Sequence, residues 1–270
     1  MQNNLKLMSN LLFNNPLEAS PGLTIDDLNK YLSAIQSTED ILLAKDKMKE
    51  GLFLSNCING LKKVPDESID LIISEPPLEY INVSKSSNQF TLQDYYKWNN
   101  NWLLESRRVL KNTGAIYLMT SWEYSSMYHS LLNNIFKIRS RIIWRNTASK
   151  SKKNNEWIDN TSDIWFASKT DEYVFRNNEN HLDIENKLQS EIQSNLWTDI
   201  PTVIGTYGKH SQKIYSRILR VSSFNLNWIL DPFMSLGDVG VASKKLGRRF
   251  IGFEEDKDSL LLAMKRIDKE

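Results

Sequence analysis

The chain has 270 residues, and its 34 Lys and Arg balance 33 Asp and Glu, so net charge identifies no class of partner. A single cysteine, Cys57, excludes an internal disulfide framework and any multi-cysteine metal site. The start shows no signal-peptide pattern, and no apolar run approaches the roughly 18 residues that a membrane span needs. We therefore expect a cytoplasmic protein without a membrane partner.

Residues 1–50 form a predicted N-terminal arm with helices. The first 23 residues are rich in asparagine and broken by proline and glycine, which predicts an irregular arm. The pattern "LTIDDLNKYLSAI" predicts a helix with Thr24 as its N-cap and Asp27 three residues further on. A second short helix is predicted over residues 38–49.

Residues 51–270 form the predicted main domain, in which strand and helix patterns alternate. The stretches "LFLSNC", "IDLIIS", "GAIYLMT", "KIRSRIIWRN", "NWILDPF" and "RRFIGFEE" predict strands, with helices between and after them. Arg139 and Arg141 are expected on the same face of their strand. Continuous apolar strands that alternate with helices predict an α/β fold, with a mostly parallel sheet covered by helices on both faces.

Residues 147–208 interrupt this alternation, and we expect an insertion at the edge of the sheet that serves recognition. Its stretch "WIDNTSDIWFASKTDEYVF" predicts two strands. From Tyr124 to Asn155 the chain has no acidic residue. This basic segment fits either a solvated strand edge and loop or a surface that contacts DNA phosphates. The second interpretation gives the candidate DNA contacts Arg139, Arg141, Arg145, Lys150, Lys152 and Lys153.

The stretch "LIISEPPLEY" ends a buried strand in an acid and two prolines. Ligands of open α/β sheets bind beyond the carboxyl ends of the strands, where Glu75 is expected. Pro76 and Pro77 restrict φ and lack N–H groups, so their turn presents carbonyl oxygens. An acid beside such acceptors can bind an exocyclic amino group and make its nitrogen nucleophilic. The alternative is a tight turn with a solvated glutamate.

The stretch "ILDPFMSLGDVGVASKKLGRRFIGFEED" predicts a strand, a turn with glycines, a helix and a second strand. A glycine-bearing turn, followed after about 20 residues by an acid that ends the next strand, is typical of sites that hold a nucleoside through its ribose. Asp231 and Glu254 have about this spacing. The alternative for Glu254 is a surface acid at a strand end.

With these motifs the chain resembles the DNA amino-methyltransferases that modify adenine N6 or cytosine N4, in the permuted subgroup whose catalytic motif comes first. "DLIISEPPL" is similar to the family's "DLI…DPPY", "DPFMSLGDV" to its "DPFxGSGTT" loop, and "GKHSQK" to its "KHPTQKP" segment. The resemblance covers roughly residues 51–270. It implies a Rossmann-like methyltransferase fold, S-adenosylmethionine as cofactor and a flipped DNA base as substrate.

The resemblance also implies roles for individual residues. Glu75 corresponds to the catalytic acid, and Leu78 to the aromatic residue that stacks on the base, with Pro76 and Pro77 completing the turn. Tyr80 either replaces the missing ring or is a packing residue. No metal site is implied. The implied cofactor-binding residues are Asp231, Phe233, Ser235, Gly237, Glu254 and His210, of which His210 has a surface or capping role as its alternative.

Several of these positions depart from the family pattern. Glu75 is one methylene longer than the usual aspartate, and Leu78 has no π face. Ser235 and Leu236 are larger than the glycine and serine of the family loop. Asp238 replaces a hydroxyl residue, where it either repels the methionine carboxylate of the cofactor or caps the following helix.

Three functions remain open from the sequence. The first is a DNA methyltransferase that acts on an exocyclic amino group, with adenine N6 favoured because an acid occupies the catalytic position. The second is a catalytically impaired pseudo-methyltransferase that serves as a DNA-binding or regulatory subunit beside a second methyltransferase subunit. The third has RNA or a small-molecule amine as the acceptor.

Overall fold

The computed structural model describes residues 18–20, 22–40, 45–78, 91–145, 157, 159–176, 194–202 and 211–270. At the N-terminal end, where the sequence predicted an irregular arm, strand β1 (Glu18–Ser20) pairs antiparallel with β2 (Leu23–Thr24). Helix α1 (Ile25–Leu32) follows as predicted. Thr24 and Asp27 form a reciprocal capping box at its start, because each side chain accepts the backbone N–H of the other.

The continuous helix predicted over residues 38–49 is wrong for the part of it that the structure describes. After β3 (Gln36–Ser37), the chain forms separate 3₁₀ turns at Thr38–Asp40 and Lys45–Lys47, and residues 41–44 lie outside the described ranges. The Asp40 carboxylate accepts the backbone N–H of Ser37 at 2.6 Å. Such local bonding by a short acidic side chain favours a tight turn over an α-helix.

The remaining strands and helices follow the predicted alternation. In the first half of the main domain these are β4 (Gly51–Leu54), α2 (Cys57–Lys63), β5 (Ile69–Ser74), α3 (Leu92–Val109), β6 (Leu110–Thr120), α4 (Trp122–Ile135) and β7 (Lys137–Arg145). The second half contains β8 (Thr161–Ser168), β9 (Leu196–Trp197), α5 (Gln212–Ser222), β10 (Trp228–Asp231), α6 (Asp238–Lys245), β11 (Arg249–Glu254) and α7 (Lys257–Asp268). Helix α5 had no counterpart among the predicted elements.

The main sheet has the strand order β3, β4, β11, β10, β5, β6, β8, β7, β9. Its neighbouring strands are parallel except at β8, which runs antiparallel to both β6 and β7. One face of the sheet packs against α2, α3 and α4, and the other against α5, α6 and α7. The predicted α/β fold, with a mostly parallel sheet between two helical layers, is therefore confirmed.

The segment 147–208 contributes to the sheet differently from the expectation of an edge insertion. Strand β8 lies inside the sheet, because residues 163–168 are buried and fill the space between β6 and β7. The second strand predicted in this segment is absent from the described residues. The backbone N–H of Val174 bonds to Thr113 and that of Arg176 to Val221, so the chain crosses from β6 to α5 without joining a ladder.

A bulge in β7 overturns the prediction that Arg139 and Arg141 share a face. The pairing of β7 with β8 shifts between Ile138 and Ser140, which gives β7 one extra residue. Arg141 therefore lies over the ring of Trp165, on the side of α4, at 5.9 Å. Arg139 lies over the ring of Tyr173 on the opposite side, at 4.5 Å.

Gly60 in α2 sets the distance between this helix and β11. A Cβ atom at Gly60 would lie 2.6 Å from the ring of Phe253. Phe253 is fully buried and directly precedes Glu254 in the sequence. We predict that Gly60→Ala lowers the free energy of unfolding by about 1–3 kcal/mol, measured by denaturant titration, because the added methyl group overpacks the core. Asn59→Ala, at an exposed position of the same helix, is the matched control.

Leucine is smaller than phenylalanine and leaves room for the added methyl group. The double variant Gly60→Ala/Phe253→Leu should therefore recover part of the free energy of unfolding that Gly60→Ala loses. Equal stability of Gly60→Ala and the Asn59→Ala control would contradict this account of the helix–strand contact.

Candidate functional site

The carboxyl ends of β5 and β10 meet in one cleft. The two strands are parallel neighbours, with Leu71 opposite Ile229 and Ile72 opposite Leu230. The space in and in front of the cleft amounts to about 390 Å³, including space open to solvent. Glu75, from the turn after β5, and Phe233, from the loop after β10, both line it. The two motifs that the sequence singled out therefore share a site.

The turn after β5, with Glu75, Pro76 and Pro77, is held in place by helix α3. The Tyr95 hydroxyl donates a hydrogen bond to the Pro77 carbonyl at 3.1 Å. It also accepts a hydrogen bond from the Tyr128 hydroxyl at 2.8 Å, and the Tyr128 hydroxyl lies 3.0 Å from the side-chain oxygen of Asn99. Trp102 donates its indole N–H to the same oxygen at 2.8 Å. This buried network fixes the second proline, and no pattern in the sequence pointed to it.

Leu78 does not replace an aromatic ring in the cleft. Its side chain is half-buried and packs against the core beneath the sheet. The aromatic side chains near this point come from other elements: Phe233 contacts Trp98 at 5.4 Å and Trp102 at 5.1 Å between ring centroids. The wall of the cleft at Phe233 is therefore an aromatic cluster formed by α3 and the loop after β10.

The loop after β10 keeps a left-handed conformation where the sequence lacks glycine. Ser235 has φ of 48° and Gly237 has φ of 77°. The left-handed region costs a residue with a β-carbon roughly 1–2 kcal/mol, so Ser235 holds this backbone against its own preference. The backbone N–H of Met234 bonds to the Phe253 carbonyl at 2.9 Å, and that of Ser235 bonds to Glu254. These bonds to β11 maintain the loop.

Asp231 ends β10 at the base of the cleft and is buried. Burial raises the pKa of its carboxyl from 3.8 to about 8. The backbone N–H of Phe233, which donates to Asp231 at 3.1 Å, opposes this rise, whereas Glu75, Glu254 and Asp238 add to it. Asp231 is therefore within electrostatic reach of three other carboxyl groups, of which Glu75 and Asp238 line the cleft with it, and this charge arrangement favours a bound cation.

Two further groups show the same acidic environment. Burial raises the pKa of Glu254, even though the backbone N–H groups of Asp256 and Ser235 bond to its carboxylate. Burial also raises the pKa of the Tyr215 hydroxyl, on α5, well above its ordinary value, and Glu75, Asp238 and Asp231 add to the rise. Tyr215 lines the cleft, and sequence reasoning missed it because it lies on the unpredicted helix.

Asp238 is the first residue of α6, directly after the N-cap Gly237, where its charge is favourable at the positive end of the helix. The Asp238 carboxylate forms an ion pair with Arg266 of α7 at 2.5 Å. It also accepts a hydrogen bond from the side-chain amide of Gln212 at 3.1 Å.

The basic segment is divided between two edges of the sheet. At the edge away from the cleft, Lys137 and Arg139 both pair with Asp171. Arg141 forms a two-pronged bond to the buried Asp163 carboxylate, with distances of 3.0 and 2.9 Å. Arg145 is exposed at the carboxyl end of β7, the edge on which the cleft opens. Five other predicted residues lie outside the described ranges: Tyr80, Lys150, Lys152, Lys153 and His210.

Two general features of the described residues bear on the class of site. Among them, no group of three or more His, Cys, Asp or Glu side chains is placed to hold a metal ion. No helix in the described part of the chain is both long and apolar enough to cross a membrane.

Comparison with known proteins places this geometry in a family. Residues 69–265 match the family model described as DNA methylase. The type II methyltransferase M2.DpnII of Streptococcus pneumoniae is 31% identical over 247 residues, which cover 83% of this chain and 92% of the relative. The DNA adenine methyltransferase YhdJ of Escherichia coli (strain K12) is 28% identical over 238 residues, 77% of this chain and 79% of the relative.

Similarity to solved structures extends over most of the fold. The crystal structure of the M1.HpyAVI–SAM complex superposes with a TM-score of 0.61 at 20% identity, covering 80% of this chain and 98% of the other. At 20% sequence identity, this similarity shows that the two proteins share a fold.

The raised pKa of Asp231 predicts how stability depends on pH. The folded chain keeps a proton on Asp231 between about pH 4 and pH 8, whereas the unfolded chain releases it. Stability is therefore lost as pH rises through this window. We predict that Asp231→Asn, which keeps the shape but removes the titration, flattens the decline and stabilises the chain at pH 8 by up to about 5 kcal/mol.

Thermal unfolding followed from pH 4 to pH 8 measures the effect, and Asp46→Asn, at an exposed position away from the cleft, is the control. Parallel pH profiles for wild type and Asp231→Asn would show that Asp231 does not keep a proton in the folded state.

Proposed function

Because the chain belongs to the family of DNA amino-methyltransferases, we propose that it transfers a methyl group from S-adenosylmethionine to an exocyclic amino group of DNA, with adenine N6 favoured. The observation that carries the proposal is the shared cleft, which is lined both by Glu75, directly before Pro76 and Pro77, and by Phe233 of the loop after β10. The relative YhdJ is named an adenine methyltransferase, which supports the choice of base. Cytosine N4 is the alternative acceptor.

The residues of the cleft fit S-adenosylmethionine in charge. When bound, this cofactor supplies an electrophilic methyl group on a positively charged sulfur. Glu75 and Asp238 line the cleft with Asp231, whose carboxyl has a raised pKa of about 8 and would offset such a charge once the bound cation favours its ionisation. Residues 233–236 of the loop after β10 line the cleft, and Ser235 and Gly237 in this loop have a left-handed backbone. The M1.HpyAVI structure, which shares the fold, is a complex with SAM.

The residues around the cleft have different proposed roles, which follow from their positions. In this proposal Glu254, at the end of β11, binds the ribose hydroxyls, as the family resemblance implies. The Glu75 carboxylate and the Pro76 carbonyl accept hydrogen bonds from the target amino group, which directs the nitrogen lone pair towards the methyl donor. Tyr95 keeps the turn in place through Pro77. Arg145 lies at the same edge and supports an approach of the DNA backbone from this side.

One observation favours a second candidate, an impaired subunit that binds without efficient transfer. Leu78 packs against the core and offers no aromatic face to a flipped base. The loss of base stacking is worth roughly 1–3 kcal/mol. In addition, the extra methylene of Glu75 changes the position of the carboxylate, and a displacement of about 1 Å costs on the order of a hundredfold in rate.

Binding of S-adenosylmethionine is the direct test of the proposal. A bound cation stabilises the ionised form of Asp231, so binding should release a proton near pH 7, and affinity should rise from about pH 6 to pH 8. Calorimetric titration in two buffers with different ionisation enthalpies measures this release. The Asp231→Asn variant should bind S-adenosylmethionine without releasing this proton. A wild-type Kd weaker than about 1 mM would reject the proposal.

Restoring the family residues distinguishes the active enzyme from the impaired subunit. We predict that Glu75→Asp combined with Leu78→Tyr raises kcat for methyl transfer to DNA by about tenfold or more, because carboxylate position and stacking are both recovered. Transfer of radiolabelled methyl groups to DNA with many different sites measures the change. The two single variants serve as controls for additivity. An unchanged, negligible rate in the double variant would favour the impaired subunit.

A further inference from the structure

Arg266 connects the C-terminal helix to the loop that forms one wall of the cleft. From α7, one guanidinium nitrogen donates to the Leu236 carbonyl, and the other pairs with the Asp238 carboxylate at 2.5 Å. Both side chains of the ion pair are mostly buried, with 18% of Arg266 and 10% of Asp238 exposed. Because solvent screens such a pair weakly, it has more influence on the local charge than a surface ion pair.

The loop packs closely against the same helix around this contact. A Cβ atom at Gly237 would lie 3.0 Å from the Cβ of Ala263, and one at Gly240 would lie 2.3 Å from the side chain of Ile267. Ala263, Arg266 and Ile267 therefore form one face of α7 against which the loop and the start of α6 rest. Arg266 is the charged member of this face.

Arg266 also acts on the electrostatics of the cleft itself. Burial raises the pKa of the Tyr215 hydroxyl, and Glu75, Asp238 and Asp231 raise it further, whereas Arg266 lowers it. The positive charge of Arg266 thus offsets acids that line the cleft. Near the start of α6, this charge neutralises Asp238, which would otherwise cancel the positive potential that the helix start offers to an anion.

The amino-acid end of S-adenosylmethionine carries a carboxylate, which the positive end of a helix attracts and an unneutralised aspartate repels. We propose that Arg266 is a cofactor-positioning residue: by neutralising Asp238 and fixing the Leu236 carbonyl, it allows the start of α6 to accept the carboxylate end of the cofactor. This proposal rests on the proposed function. It also explains how the chain carries an acid where related loops have a hydroxyl residue.

The test compares two ligands that differ only at the end in question. S-adenosylmethionine has the carboxylate, whereas 5′-methylthioadenosine has the nucleoside and the sulfur without the amino-acid group. We expect Arg266→Met to weaken binding of S-adenosylmethionine by at least about tenfold, and to change binding of methylthioadenosine by less than about threefold. A purely structural role would weaken both ligands alike.

Rescue by a second change identifies the charge as the cause. Asp238→Asn removes the acid that Arg266 neutralises, so the double variant Asp238→Asn/Arg266→Met should recover binding of S-adenosylmethionine to within about threefold of wild type. Lys265→Met is the matched control: it removes a neighbouring charge of α7 that bonds to Asp27 and Gly22 instead of the loop. This control should bind both ligands as wild type does.

Thermal unfolding shows whether Arg266→Met folds. If it does not, Arg266→Lys, which keeps the positive charge, is used instead. It retains a cation but not the two-pronged geometry, so an intermediate loss for S-adenosylmethionine alone is expected. Equal losses for both ligands, or no loss for either, would overturn the proposal while leaving the proposed function intact. Failure of the wild-type chain to bind S-adenosylmethionine would instead reject the proposed function, and the role of Arg266 with it.

Discussion

The parallel pairing of β5 and β10 is the constraint on which the whole site depends. These strands are separated by more than half of the chain, yet Leu71 and Ile72 lie directly opposite Ile229 and Leu230. Because parallel neighbours end at the same edge of a sheet, this pairing alone brings the acidic turn after β5 to the glycine-poor loop after β10. Both strands are apolar and are covered by helices on both faces of the sheet, so the pairing lies in the core of the domain.

The acidic side chains that this pairing brings together lower the stability of the free protein, and a bound cation would offset their charge. Asp231 is buried among other acids, and its pKa of about 8 shows that the folded chain resists its ionisation. Burial also raises the pKa of Glu254. Functional sites commonly keep such unfavourable charge because a ligand offsets it, at some loss of stability in the free protein. The ion pair of Arg266 and Asp238 shows that the chain offsets part of this charge itself, at the loop where the family pattern is least preserved.

Patterns over short distances predicted the fold well. The Thr24–Asp27 capping box, the continuous apolar strand before Glu75 and the spacing from Asp231 to Glu254 each appear in the structure as predicted. Features that depend on tertiary contacts could not be predicted in this way. The bulge that separates Arg139 from Arg141 follows from the pairing with β8, and the bonds from Tyr95 to Pro77 and from Arg266 to Asp238 join distant parts of the chain. The backbone of Ser235, left-handed without glycine, is maintained by its neighbours in β11.

The central claim is that one cleft brings the methyl donor to the acidic turn, and a crystal structure of the chain with S-adenosylmethionine tests it most directly. The account predicts ligand density between Glu75 and Phe233, with the ribose at Glu254, the carboxylate at the start of α6 and the sulfonium methyl group directed towards the Glu75 carboxylate. A ligand bound elsewhere, or a methyl group beyond the reach of an amine that is hydrogen-bonded to Glu75, would contradict it.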